Sequence, residues 1–314
     1  MMMKLVSHCC VLLPLLLAVR ALPGWPNGGT IVAGNAVQFD RDTWEAHLAR
    51  PNATGNNSVV GFDVSKPWPS TQGDGWKLGI NVTSDIPDSE IMNPSNATGK
   101  AFTGTSIFLQ APPNLQSTFS SQTALDETTW KICIVVIPNA PQDNVTGTAA
   151  DGDCPVMSTQ CVSDLEDAYT AKFARNQDCY GTPPATPSSC GARINTGAFN
   201  VQQLPLDSIT GREVYVTASD LHDPEDQEAL DDATGKTWPV MVIWGWNVRA
   251  NASGDAMPTV QLSCVSARDV VSGSNGGGSG GSGGQDSAGA RPLRLWGSAG
   301  VALVIACVVA YALL

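Results

Sequence analysis

Two apolar runs, one at each end, restrict the part of this 314-residue chain that can form a folded domain. The first run, residues 9–19, follows Lys4 and has no polar face, which is typical of the hydrophobic region of a secretory signal peptide. Small residues precede a cleavage point after Ala21, and Pro23 would end a helix there. We therefore expect residues 1–21 to direct export of the protein.

The second run, residues 296–314, follows a Gly/Ser-rich stretch, small residues and a short polar spacer. This order is typical of the signal for a glycosylphosphatidylinositol (GPI) anchor, with Ser287 as the predicted attachment site and Asp286 or Asn275 as alternatives. A retained transmembrane helix would place the two spacer arginines outside, against the positive-inside tendency. The predicted divisions are a signal peptide (1–21), a folded ectodomain (22–271), a flexible stalk (272–290) and a tail (291–314).

Six cysteines lie between the two runs, an even number that indicates three disulfides in an exported chain. They are Cys133, Cys154, Cys161, Cys179, Cys190 and Cys264. Four of them fall within residues 154–190, which favours two local bridges there and a long-range bridge between Cys133 and Cys264. No C-x-x-C spacing occurs, so a zinc site is disfavoured, and no cofactor is predicted.

Six N-x-S/T sequons predict N-glycans at surface positions once the chain is exported. They are Asn52, Asn56, Asn81, Asn96, Asn144 and Asn251. The formal net charge of −12 would repel nucleic acid, so we expect no nucleic-acid partner.

Short segments rich in Val, Ile, Trp and Thr, most of them bounded by Gly, Pro, Asn or Asp, predict a mainly β fold. They span residues 59–64, 76–82, 105–110, 130–137, 212–217, 240–248 and 259–265. Within 240–248 both alternating faces are mostly apolar, which suits a central strand covered on each side. The pattern therefore predicts a β-sandwich-like ectodomain.

One segment departs from this pattern. Residues 162–176 carry apolar side chains at helical spacing, with Ser163 as a candidate N-cap. We expect residues 150–192 to form a disulfide-stapled insertion that contains one short helix and lies over the β framework.

The sequence offers few groups for catalysis. Between the two apolar runs lie two histidines, His47 and His222, and neither occurs in a zinc-protease motif. There is no G-x-S-x-G nucleophile elbow and no phosphate-binding loop. The densest polar segment, residues 220–232, is interpreted as a solvated acidic loop, with a calcium site or a glycosidase carboxylate pair as alternatives. We assign no catalytic residues and do not expect an enzyme.

Tryptophans are numerous in the ectodomain, and an exposed indole can stack on a sugar ring. They are Trp25, Trp44, Trp68, Trp76, Trp130, Trp238, Trp244 and Trp246. Trp130, Trp244 and Trp246 lie in strand patterns and are expected to be core residues. Trp68 lies in a Lys-Pro-Trp-Pro segment typical of a loop, and it is the candidate glycan contact.

The order of signal, sequon-rich disulfide-bonded β domain, Gly/Ser stalk and anchor tail resembles fungal GPI-anchored cell-surface and cell-wall glycoproteins. The resemblance rests on the two ends and the linker. It implies a protein of the plasma-membrane outer leaflet or the cell wall, with the membrane and cell-wall glycans as partners. We expect a structural, adhesive or glycan-binding role; the alternatives are a carbohydrate-active enzyme of glycoside hydrolase type and a receptor-type domain for a protein ligand.

Overall fold

A computed structural model describes residues 26–27, 30–32, 37–92, 99–119, 129–142, 153–204, 210–253 and 255–271. The predicted signal peptide, stalk, tail and Ser287 lie outside these residues, as do Trp25, Asn96 and Asn144. Within the described ranges, no helix combines the length and apolar composition needed to cross a bilayer.

Fourteen strands and four α-helices form the described part of the chain. The strands are β1 (Pro26–Asn27), β2 (Thr30–Val32), β3 (Gln38–Asp40), β4 (Ala53–Ser58), β5 (Gly61–Phe62), β6 (Gln72–Gly73), β7 (Lys77–Pro87), β8 (Ala101–Gln110), β9 (Trp130–Val136), β10 (Asn200–Leu204), β11 (Thr210–Ala218), β12 (Trp238–Trp246), β13 (Thr259–Val265) and β14 (Asp269–Val270). The helices are α1 (Arg41–Leu48), α2 (Pro113–Phe119), α3 (Thr159–Asn176) and α4 (Gln227–Gly235).

The two largest sheets are antiparallel and pack face to face. One has the order β11-β8-β7-β4-β14 and the other β10-β9-β12-β13. Their inner faces share one apolar core, to which β7 contributes Ile80, β8 contributes Ile107 and β12 contributes Val242. The expected β-sandwich is therefore present, and β12 is a central strand whose nine residues are all buried.

Each sheet is covered on its outer face by a helix. Helix α3 packs on the four-stranded sheet, where Gly245 leaves room for the Phe173 ring; a Cβ at Gly245 would lie 2.2 Å from that ring. Helix α1 packs on the five-stranded sheet through Trp44, which lies over Gly104 in the same way. Glycine in these strands therefore permits close approach of the covering helices.

Side-chain amides connect the two sheets along both long sides of the sandwich. On one side Gln202 of β10 donates to the Val214 carbonyl of β11 at 2.9 Å. On the other side the Asn57 amide of β4 donates to the Cys264 carbonyl of β13, and Gln261 accepts from the Val60 N–H at 2.7 Å. These bonds use backbone groups that edge strands would otherwise leave unpaired.

Strand directions give the sandwich two distinct ends. The chain leaves the domain beside β4, where Val270 pairs with Ala53 and the Val271 N–H bonds to the Asn52 carbonyl; we call this the exit end. β4 and β12 both run from the exit end to the opposite end, where Trp246 pairs with Trp130. The described residues between β12 and β13, 247–253 and 255–258, also lie there, and we call this the hairpin end.

The disulfide pairing differs from the prediction. The bonds join Cys133 to Cys179, Cys154 to Cys264, and Cys161 to Cys190. Only the last is local to residues 154–190, and the predicted Cys133–Cys264 bridge is wrong. Closeness in sequence did not predict the pairing of Cys179. This cysteine follows α3, and the helix crosses the outer face of the sheet and brings the chain back to Cys133 of β9.

Helix α3 includes the predicted residues 162–176 but begins three residues earlier than predicted. Its N-cap is Ser158, whose hydroxyl accepts from the Cys161 N–H, so the assignment of Ser163 as the N-cap is wrong. Helices α1, α2 and α4 were not predicted.

The predicted C-terminal end of the strand over residues 240–248 is also wrong. β12 ends at Trp246, and Val248 lies in the following loop with 89% of its surface exposed.

Candidate glycan-contact site at Trp68

The segment that carries Trp68 is anchored by the two-residue ladder of β5 and β6. Gly61 lies against the Trp76 indole, because a Cβ there would be only 2.0 Å from the ring. The Trp76 indole N–H also donates to the Phe62 carbonyl at 3.1 Å. The buried Trp76 side chain therefore fixes β5, the strand from which the loop of residues 63–71 leads to its partner β6.

Hydrogen bonds hold the backbone at Trp68 and just before it. The Trp68 N–H donates to the Thr129 hydroxyl at 2.5 Å. The Lys66 carbonyl accepts from the Trp130 indole N–H at 2.8 Å. Because β9 begins at Trp130, the loop is tied directly to a central strand of the four-stranded sheet.

The Trp68 ring is half-buried and packs on Trp246, with ring centroids 4.6 Å apart and planes tilted by 41°. Trp246 is buried and packs on Phe173 of α3, with the two ring centroids 5.4 Å apart. The expectation that Trp68 lies in a loop agrees with the structure, but its ring is not fully exposed. Aromatic contacts thus fix the Trp68 ring, and the residue as a whole keeps an intermediate exposure to solvent.

The loop after β12 meets the Trp68 loop at Thr129. The Asn247 N–H donates to the Thr129 carbonyl at 2.9 Å, and the Asn247 amide donates to the Trp130 carbonyl at 3.3 Å. Thr129 therefore joins the two loops at the hairpin end. Sequence reasoning missed both residues, because neither belongs to a recognisable motif and their partners are distant in the chain.

A single ion pair lies on the described part of the Trp68 loop. Lys66 contacts Asp63 at 2.8 Å, and Ser65 donates to the same carboxylate at 2.5 Å. Lys66, followed by Ser65, lowers the pKa of Asp63, so the carboxylate is ionised at neutral pH. The loop that carries the Trp68 ring thus also carries charged and hydroxyl groups, a combination suited to a sugar, which presents both C–H and O–H groups.

The acidic segment 220–232 lies at the exit end and is not a continuous loop. Its second half forms α4, whose N-cap Asp226 accepts from the Glu228 and Ala229 N–H groups. Asp223 pairs with Lys100 at 2.7 Å, and this contact lowers the pKa of Asp223. The loop interpretation is therefore wrong for residues 227–232, which belong to α4.

His222 at the start of this segment is buried and fully engaged. Its Nδ1 lies 2.8 Å from the Asp223 carbonyl, which can only accept, so the neutral ring carries its proton on Nδ1. Nε2 then accepts from the Thr103 hydroxyl at 3.0 Å. Among the described residues, no three His, Cys, Asp or Glu side chains are grouped so that they could hold a metal ion.

The four described sequons differ in exposure. Asn56 and Asn251 are exposed, on β4 and in the loop after β12. Asn52 and Asn81 are half-buried: the Asn52 side-chain oxygen accepts from the Ser84 N–H at 2.8 Å, and the Asn81 amide donates to the Leu48 carbonyl at 3.4 Å.

The chain matches no protein-family model, and comparisons with curated proteins and with solved structures found no match either. The functional interpretation therefore depends on the geometry of the molecule itself.

Proposed function

We propose that this chain is a secreted, N-glycosylated protein tethered to the outer face of a membrane, and that its domain binds glycans at the hairpin end. The observation that carries the proposal is the ring of Trp68, which is fixed on Trp246 in a residue that stays partly exposed to solvent. A ring that is already ordered loses little conformational entropy when a sugar stacks on it. Three disulfides in the domain are compatible with export.

The position of Trp68 supports this role. The chain leaves the domain at the exit end, where Val271 bonds to Asn52, whereas Trp68 contacts residues at the hairpin end. β4 and β12 run between these ends, and a six-residue strand such as β4 spans about 20 Å. Val271, the last described residue before the predicted stalk, and Trp68 thus lie at opposite ends of the sandwich.

A glycan array on the secreted, glycosylated domain tests this proposal. We expect binding that is lost in Trp68→Ala and largely retained in Trp68→Phe, which keeps an aromatic ring. Tyr180→Ala is the matched control, because Tyr180 is a half-exposed aromatic residue outside the Trp68 loop. Binding by the parent that Trp68→Ala leaves unchanged would refute the site, and release of sugar products would favour the glycoside hydrolase alternative.

A further inference from the structure

One row of residues crosses the outer face of the five-stranded sheet near a sequon. Asn56 of β4 pairs with Gly79 of β7, and Gly79 pairs with Phe108 of β8. Directly paired residues of antiparallel strands share a face, so the three positions form one line across the sheet. The face is the outer one, because the flanking residues Leu78 and Ile80 point into the sandwich core.

The Phe108 ring leans over Gly79. A Cβ at Gly79 would lie 2.3 Å from two ring atoms of Phe108, so the ring occupies the space that a side chain would fill. This is the cross-strand cover that an aromatic ring gives a strand glycine. The ring is consequently displaced towards β4 and lies about one strand spacing, or about 5 Å, from the Asn56 backbone.

The outward side of the ring is not taken up by the apolar core. Phe108 is half-buried, and among the described residues it belongs to none of the three apolar clusters. The sequon beside it is open: Asn56 is exposed, and so is its hydroxyl residue, Ser58.

The other sequon on this face is less accessible. Asn81 is half-buried beside α1, and its amide nitrogen, the atom that would carry a glycan, donates to the Leu48 carbonyl at 3.4 Å. Asn56 is therefore the better-placed asparagine on the outer face.

We propose that Asn56 carries an N-glycan whose first sugar stacks on the Phe108 ring above Gly79, so that the glycan forms part of the outer surface of the sheet. The C–H face of a pyranose matches the apolar ring face, and Asn56 lies one strand spacing from Gly79, which the ring covers. This inference rests on the export and N-glycosylation in the proposed function. It does not depend on ligand binding at Trp68.

Site-resolved deglycosylation of the native full chain, expressed in secreting eukaryotic cells and purified in detergent, tests the contact. Peptide N-glycosidase converts each glycosylated asparagine to aspartate, and mass spectrometry measures the rate at each site. We expect slower release at Asn56 than at Asn251, and we expect Phe108→Leu to accelerate release at Asn56 about threefold to tenfold, the range of a single ring contact. Phe108→Tyr keeps the ring and is expected to leave the rate unchanged.

The rate at Asn251 serves as the internal control for folding, because Phe108→Leu should not alter it. Equal rates at the two sites, with no effect of Phe108→Leu, would overturn the proposed contact. Glycan at Asn251 but none at Asn56 would overturn this inference and leave the proposed function intact. Unmodified asparagine at every sequon would overturn both.

Discussion

Single polar side chains protect the open edge of β13. The Glu166 carboxylate of α3 accepts from the Leu262 N–H at 2.8 Å, and Asn57 donates to the Cys264 carbonyl two residues further along. Both backbone groups point away from β12, and no described strand pairs with β13 on that side. An edge covered in this way is a poor template for pairing with another chain.

Glu166 also gives the domain a testable pH dependence. Burial raises the pKa of Glu166, partly opposed by the Leu262 N–H, so the folded state holds this proton more tightly than the unfolded chain. The ordinary pKa of a glutamate is 4.5. The contribution of Glu166 to the free energy of unfolding therefore decreases as pH rises from that value through the raised pKa of the folded state. We expect the parent to lose stability relative to Glu166→Gln across this window in denaturant titrations between about pH 4 and pH 7.

A second substitution separates charge from hydrogen bonding at the same position. Glu166→Gln keeps an acceptor for the Leu262 N–H, whereas Glu166→Ala removes it and should cost about 1–3 kcal/mol at neutral pH. Equal stability of the Ala and Gln variants would contradict the edge-protecting role of Glu166.

Gly61 and Gly73 provide a matched pair for testing how the Trp68 loop is anchored. They are directly paired in the ladder of β5 and β6, but a Cβ at Gly61 would lie 2.0 Å from the Trp76 ring, whereas one at Gly73 would make only ordinary contacts at 3.8 Å. Gly61→Ala should destabilise the domain by about 1–3 kcal/mol through overpacking, and Gly73→Ala should have little effect. Thermal unfolding of both variants measures this difference; similar losses would show that Trp76 does not fix the ladder.

Among the secondary-structure elements, α3 illustrates how the disulfides organise the outer layer. Cys161 in its first turn is bonded to Cys190, and Cys179, just after its end, is bonded to Cys133 of β9. The helix is therefore joined covalently near both ends, and Leu165, Tyr169 and Phe173 fill the space between it and the sheet.

The three bridges should contribute unequally to stability. Cys154–Cys264 spans 110 residues and Cys161–Cys190 spans 29, so the former removes more chain entropy from the unfolded state. Loop-closure arithmetic gives about 4.8 and about 3.6 kcal/mol, respectively. Replacing each pair by alanines should lower the unfolding free energy in that order, as measured by denaturant titration. A larger loss from the Cys161–Cys190 pair would contradict this ranking.

Elements with a strong local pattern were predictable, and those without one were not. The apolar alternation in β12 identified a central strand because both of its faces are buried, and the helical spacing in α3 was also legible. Helix α1 buries only Trp44 and Leu48, and α4 has no fully buried residue, so neither carries a readable apolar stripe. Tertiary pairing, such as Trp68 on Trp246, depends on the fold and leaves no local signal.

We propose different roles for the two ends of the sandwich. The exit end holds Val271, the last described residue before the predicted stalk, and the hairpin end carries the Trp68 ring. Val248 and Val270 are highly exposed, at 89% and 76%, and they mark the hairpin end and the exit end, respectively.

New glycans at these two positions should therefore have different effects. Val270→Asn creates a sequon with Ser272, and Val248→Asn combined with Ala250→Ser creates one in the loop after β12. We expect the second glycan to block sugar binding near Trp68 and the first to leave it unchanged, as measured on the same glycan array. Loss of binding from the exit-end glycan would place the binding surface elsewhere.

Export of the chain and its attachment outside the cell by a lipid on its C-terminus are the basis of the proposed function. Treatment of intact cells expressing the full chain with phosphatidylinositol-specific phospholipase tests both most directly. We expect the protein to appear in the supernatant carrying N-glycans and disulfides. A protein that stays in the cytosol, with free thiols and unmodified asparagines, would contradict the proposed function; one that remains in the membrane after treatment would favour a retained transmembrane helix over the anchor.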